Sequence, residues 1–246
     1  MRTANPALNE NVFRDAVFDG VGVETMTVSG AINKTAILLF LVLAASAFTW
    51  KMFFDVGIQA VYPWMLAGIF GGLIFGLLTI IVKKWAAFTS PIYAVLEGFF
   101  LGGISSVMET VYPGIVIQAI GLTFGVLIAL LTIYRTGVIK VTDKFRLGIF
   151  AATGAICLVY IVSFIMGFFG STIPYIHGSG PIGIGFSLFV VAIASLNLVL
   201  DFDFIERGSA AHAPKYMEWY AAFGLMVTLI WLYIEILRLL SKLRNR

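Results

Sequence analysis

Two carboxylates stand in or against long apolar runs near the C-terminal end of the sequence. Asp201 ends the run GIGFSLFVVAIASLNLVLD, and Glu235 lies within LMVTLIWLYIEILRLL. The chain has only 13 acidic residues, and most of the others fall in polar segments. An ionised group at membrane depth is expensive, so it faces the interior, keeps a partner and marks a proton or ion pathway. On adjacent helices such a pair could also form an aspartic-type hydrolytic dyad, but no Gly-x-Gly-Asp motif accompanies it.

The neighbours sort by helical geometry. Asn197 precedes Asp201 by one turn and shares its face. Asp203 is rotated from Asp201 by about 200° and points away from it. It counts as an accessory acid beside Asn197, whereas Glu206 belongs to a solvated helix end. Arg238 follows Glu235 by one turn and is its local basic partner, with a stem long enough to reach the membrane edge. About 16 Å of helix separates Glu235 from the last residue, which places it well inside a bilayer. Glu97, in YAVLEGFFLGG, is a lone acid inside an apolar run and a second accessory candidate. Glu109 reads as interfacial.

Other chemistries find little footing. Two histidines, His177 and His212, and one cysteine cannot make an ordinary zinc site. The HGSG fragment at His177–Gly180 has no evident partner acid. Cys157 lies inside an apolar run, reads as a small buried residue, and rules out an intramolecular disulfide. The sequence therefore points to a protein that is not an enzyme. With no basic stripe interleaved with aromatics, it does not bind nucleic acid either.

The elements that must carry these acids are membrane helices. The chain is 60% hydrophobic and 12% charged over 246 residues, which excludes a soluble domain. Its apolar runs are continuous rather than alternating, which favours helices over a barrel. Seven spans are predicted, near 35–53, 62–82, 91–109, 114–134, 146–169, 181–204 and 216–240. Pro63, Pro91, Pro113 and Pro181 are expected close to helix starts. Tyr62, Trp64, Trp85 and Trp219 are expected at the interfaces. Small residues spaced by four (Gly68/Gly72/Gly76, Gly98/Gly102, Gly121/Gly125) predict close helix packing in a compact all-α bundle.

Residues 1–34 form a polar tail without the apolar core of a signal peptide, with a short amphipathic helix expected over Val12–Phe18. Eleven basic residues fall in the tail and the second, fourth and sixth loops; five fall on the other side. The positive-inside rule then puts the N-terminus in the cytoplasm and the C-terminus outside. The basic C-terminal cluster supports the alternative of a last segment that re-enters and returns.

The order of spans and acids resembles the Bax inhibitor/YccA-like family (the transmembrane Bax inhibitor motif family), in a prokaryotic subgroup with an extended N-terminal tail. The carrying residues are Val199-Leu200-Asp201 at the end of the sixth span and Leu232-Tyr233-Ile234-Glu235 in the seventh, over about residues 35–240. The blocks NPALNENVF and MEWYAAFG fit the same subgroup. The resemblance implies a seven-helix bundle with the seventh helix central, in a bacterial plasma membrane. It also implies a calcium leak governed by pH, with Asp201 and Glu235 sharing a proton as sensor and gate and serving as oxygen ligands for Ca²⁺. Two carboxyls in contact at low permittivity cannot both ionise cheaply, so the pair titrates as a unit. No resident cofactor is implied; Ca²⁺ is cargo. Four features depart from the family. Glu235 stands where it has Asp, and the 34 residues from 201 to 235 are a longer separation. Lys83 and Lys84 are the candidates for its basic residue near the end of the second helix. Its further acid in that helix is absent, with Glu97 on the third to take its place. An alternative role is a non-conducting regulator that binds a membrane quality-control protease through the tail.

Overall fold

Seven long helices follow one another in the computed structural model, which describes residues 24–170, 173, 176 and 178–245. They are α1 Val28–Val56, α2 Ile58–Ile81, α3 Ala86–Val111, α4 Ile115–Arg135, α5 Asp143–Phe168, α6 Pro181–Ala210 and α7 Met217–Arg244. A 3-10 turn, Lys83–Trp85, leads into α3. All seven are long and apolar enough to cross a membrane, and α7 is the most buried of them. It runs as one helix, without the turn back that a re-entrant segment requires.

The helix ends follow local chemistry. Thr27 caps α1 by accepting the Gly30 N–H at 3.0 Å, so the helix starts at Val28, ahead of the predicted span. Thr142 does the same for α5 through Phe145 N–H at 3.2 Å. Pro181 opens α6, where its missing N–H costs nothing. Pro63 and Pro91 are not at helix starts: both lie inside their helices. The chain has already reversed at Gly57 (φ 108°) and at the Lys83–Trp85 turn, so each proline removes a backbone donor from a running helix. The helix expected over Val12–Phe18 lies outside the described residues, as does His177 of the HGSG fragment.

The chain divides into two compact units. One comprises, among described residues, 24–113 and Phe204–Val227. Here α3 packs against α1 and α2 through glycines. A Cβ at Gly102 would strike Thr49 and the Ser46 carbonyl, and one at Gly68 would lie 2.5 Å from the Leu96 carbonyl. Ser46 Oγ donates to the Gly98 carbonyl at 3.0 Å across the first of these contacts. Phe48, Trp64 and Phe99 pack beside it with centroids 4.9–5.9 Å apart, Trp64 edge to face with both phenylalanines.

The same unit holds a carboxylate that the sequence reading passed over. Glu218, in the first turn of α7, is 0% exposed. Its Oε1 accepts the Thr27 N–H at 2.8 Å and the Thr27 hydroxyl at 2.9 Å, and Lys215 Nζ lies 3.3 Å away. Its Oε2 pairs with Lys34, whose ammonium also lies over the Trp219 ring. Glu24–Met26 runs alongside the α6–α7 loop: Met26 donates to Ala213 and Lys215 donates to Glu24, backbone to backbone, at 2.6 and 3.0 Å. Gly30 is required here, since any Cβ would collide with the Glu218 carboxylate.

The other unit comprises 114–203 and, on α7, the residues from Thr228 onward. Its apolar contacts are Ile149 with Leu200, and Ile156 with Val190, Ile193 and Trp231. The Gly121/Gly125 pair does not mediate packing: nothing lies within 4 Å of a Cβ at either position. Cys157 is exposed rather than buried, because α5 turns little of its surface inward. It lines an open apolar groove of about 410 Å³ with Thr153, Tyr160, Phe164 and Trp231.

Candidate functional site

Asp201 and Glu235 belong to the same unit, and each is 1% exposed. The helix stretches that carry them are buried too: Leu198, Val199 and Leu200 before Asp201, and Leu232, Ile236 and Leu237 around Glu235 in sequence. A buried carboxylate must be hydrogen-bonded or neutralised, and Glu235 is both.

Its partners come from two helices. Tyr160 of α5 donates its hydroxyl to Glu235 Oε1 at 2.8 Å. Arg238, one turn further along α7, places Nη1 2.9 Å from Oε1 and 3.2 Å from Oε2. The same Nη1 donates to the Tyr160 hydroxyl at 2.7 Å, and the guanidinium lies over the Tyr160 ring, 5.1 Å from its centroid. Tyr160 is held in turn by Phe186 of α6, edge to face at 6.3 Å. Acid, phenol and guanidinium thus close a triangle. Its corner open to solvent is Arg238, whose side chain is 38% exposed while that of Glu235 is 2% exposed.

The other predicted residues are distributed as follows. Asn197, a turn before Asp201, uses its amide nitrogen to bridge helices, donating to Thr153 Oγ1 on α5 and to the Ile193 carbonyl, both at 2.9 Å. Asp203 is buried as well, and its Oδ2 receives Arg146 Nη2 at 3.0 Å. Arg146 also reaches Asp143 at 3.4 Å. Glu206 is exposed. Glu97 belongs to the other unit, where the Tyr93 hydroxyl donates to its carboxyl. A Cβ at Gly72 of α2 would stand 2.9 Å from its Oε1, so the missing side chain makes room for it. Lys83 and Lys84 sit in the 3-10 turn of that unit. Within the unit of Asp201 and Glu235, Arg146 pairs with Asp203 and Arg238 with Glu235.

Tyr160, Arg146 and Glu218 escaped the sequence reading for one reason: their partners are 57 to 191 residues away. The local signals were weak: Arg146 stands three residues after Asp143. Glu218 is an acid in a first helical turn, three residues after Lys215.

Among the described residues no group of three or more His, Cys, Asp or Glu side chains is arranged to hold a metal ion. A cation approaching Glu235 meets a carboxylate already committed to a guanidinium and a phenol. It must exchange with Arg238 to bind.

The sequence as a whole matches the family model described as Bax inhibitor 1 like over residues 5–245. The chain belongs to that family. No curated protein matches it in sequence. A family member with seven membrane-length helices is a multi-pass membrane protein whose apolar surface contacts the lipid bilayer.

Proposed function

We propose that this Bax inhibitor family protein is a pH-sensitive leak for Ca²⁺ in a bacterial plasma membrane, its N-terminus cytoplasmic, with Asp201 and Glu235 as the proton-holding gate. The observation that carries the reading is the state of Glu235: fully buried, yet neutralised by an arginine that is more than a third exposed. Such a pair is held together by low permittivity but can be opened from one side, since Arg238 finds water without dragging the helix with it. With Glu235 ionised against Arg238, the pair's proton is carried by Asp201, and while it stays there α7 remains packed on Tyr160. When it leaves, a second buried negative charge draws a cation and loosens the helix. Asn197 and Asp203 line the approach on α6.

The test is Ca²⁺ entry into proteoliposomes carrying an indicator, from mildly acidic to mildly alkaline pH. Wild type is expected to show pH-dependent entry, and the double variant Asp201→Asn/Glu235→Gln to lose that dependence. Identical flux in the two proteins sinks the gate. It would then favour the non-conducting regulator.

A further inference from the structure

Lys242, two turns beyond Glu235 on α7, is only 6% exposed and pairs with no carboxylate among its hydrogen bonds. Its ammonium is instead held by three neutral oxygens. The Ile176 carbonyl accepts at 2.7 Å, the Gly183 carbonyl at 3.0 Å and Ser187 Oγ at 2.8 Å. All three N–H bonds of the ammonium are thereby used. Gly183 and Ser187 are one turn apart on α6, and Ser187 is 1% exposed, so that side of the cage is rigid. The charged groups that act on Lys242 are Arg238 and Glu235, both on its own helix.

We infer that these three oxygens form a small monovalent-cation site, occupied in the resting protein by the chain's own ammonium. Backbone carbonyls and a hydroxyl are the ligands that replace a cation's water shell in selectivity filters. The size argues for a monovalent ion. Nitrogen-to-oxygen distances of 2.7–3.0 Å define the hole. Ca²⁺ takes oxygens at about 2.3–2.6 Å and favours carboxylates, so the cage must contract and still offers no charge. An ammonium-sized ion fits without movement.

The location gives the site a role that rests on the proposed function. At 1.5 Å per residue Lys242 lies about 10 Å along the helix from Glu235 and on nearly the same face. A cation leaving Glu235 toward the C-terminal end therefore meets a fixed positive charge, and a monovalent one also finds the oxygens that fit it already filled. Lys242 acts as a tethered plug.

The experiment uses the full-length chain as wild type, Lys242→Ala, Lys242→Met and Lys242→Ala/Ser187→Ala. Melting is followed in detergent with potassium, methylammonium or Ca²⁺ chloride at equal ionic strength, against choline chloride. Potassium and methylammonium are expected to raise the midpoint of Lys242→Ala, with Ca²⁺ weaker, and to leave wild type and the double variant unmoved. Lys242→Met keeps the stem and so remains folded if the alanine variant does not; there potassium should stabilise and methylammonium should not. Absence of a potassium response in every folded variant that lacks the lysine overturns the site. In proteoliposomes Lys242→Ala is expected to pass potassium faster by roughly tenfold or more, the scale of one unit charge near a protein surface, and millimolar methylammonium should suppress the excess. A faster leak insensitive to methylammonium means mere loosening and overturns the plug. Should neither wild type nor variants pass any cation while the melting response persists, the proposed leak fails and the cage stands.

Discussion

Helix α7 buries two glutamates, one in its first turn and one past its middle, and the two live differently. Glu218 and Glu235 are both essentially removed from solvent, at 0% and 1% exposure. Glu218 is held by a backbone N–H, a hydroxyl and two lysines, contributed by the start of α1 and the loop before α7. Glu235 is held by one phenol and by an arginine of its own helix. Burial alone therefore does not tell structure from function. Each has one solvent-exposed basic partner, Lys215 at 42% and Arg238 at 38%, and what separates them is the fixed backbone donor at Glu218. The Thr27 N–H is fixed by the cap of α1, while Arg238 has solvent as an alternative.

The comparison can be broken first at Glu218. Glu218→Ala strands Lys34 and Lys215 beside an emptied cradle, and removing one member of a buried pair costs about 3–5 kcal/mol. A large drop in the detergent melting midpoint, or failure to accumulate in membranes, is expected. Survival with an unchanged midpoint would show that the cradle is ornamental. Gly30→Ala attacks the same place from the other side and should be nearly as damaging, since its Cβ collides with the carboxylate. Next comes Arg146→Ala, which leaves Asp203 buried without this guanidinium; about 2–3 kcal/mol is expected, within the range for a hydrogen bond to a charged group. Double-mutant cycles with Asp203→Asn measure the coupling directly.

At Glu235 the stability effect should be smaller and the flux effect larger. Tyr160→Phe removes one donor to a charged acceptor and should cost about 1–2 kcal/mol, because Arg238 remains. Its proteoliposomes should leak more Ca²⁺ than wild type at the same pH. A variant as unstable as Glu218→Ala but with normal flux would reverse the assignment of the two ends. The smallest effect is expected at Gly121→Ala and Gly125→Ala. Open space surrounds both positions, and alanine in a helix interior gains roughly 0.5–1 kcal/mol over glycine. Gly102→Ala, aimed at the Ser46 backbone, is the contrasting control.

The spans and their order were legible because hydrophobic run length is a property of consecutive residues. The helix ends were less so, since Thr27 capping α1 and the reversal at Gly57 depend on a few dihedrals rather than on hydropathy. Asp201 and Glu235 could be singled out because a lone charge in an apolar run is visible locally. Their settings could not. The helical wheel turns Asp203 away from Asp201 but does not show that the face it turns to meets Arg146 of another helix. Lys242 looked like one more charge in a basic C-terminal cluster until Gly183 and Ser187 were seen to surround its ammonium. Glycine spacing told nothing about which pairs pack: Gly98/Gly102 and Gly121/Gly125 have the same spacing and opposite surroundings.

The lone thiol of Cys157 offers a practical handle. It is exposed, it is the only cysteine in the sequence, and it stands one helical turn before Tyr160 in a groove that also contains Trp231. A nitroxide or a small fluorophore attached there needs no engineered background. Its spectrum would report whether the phenol stays seated on Glu235 as the acidity changes, with every functional side chain left as it is.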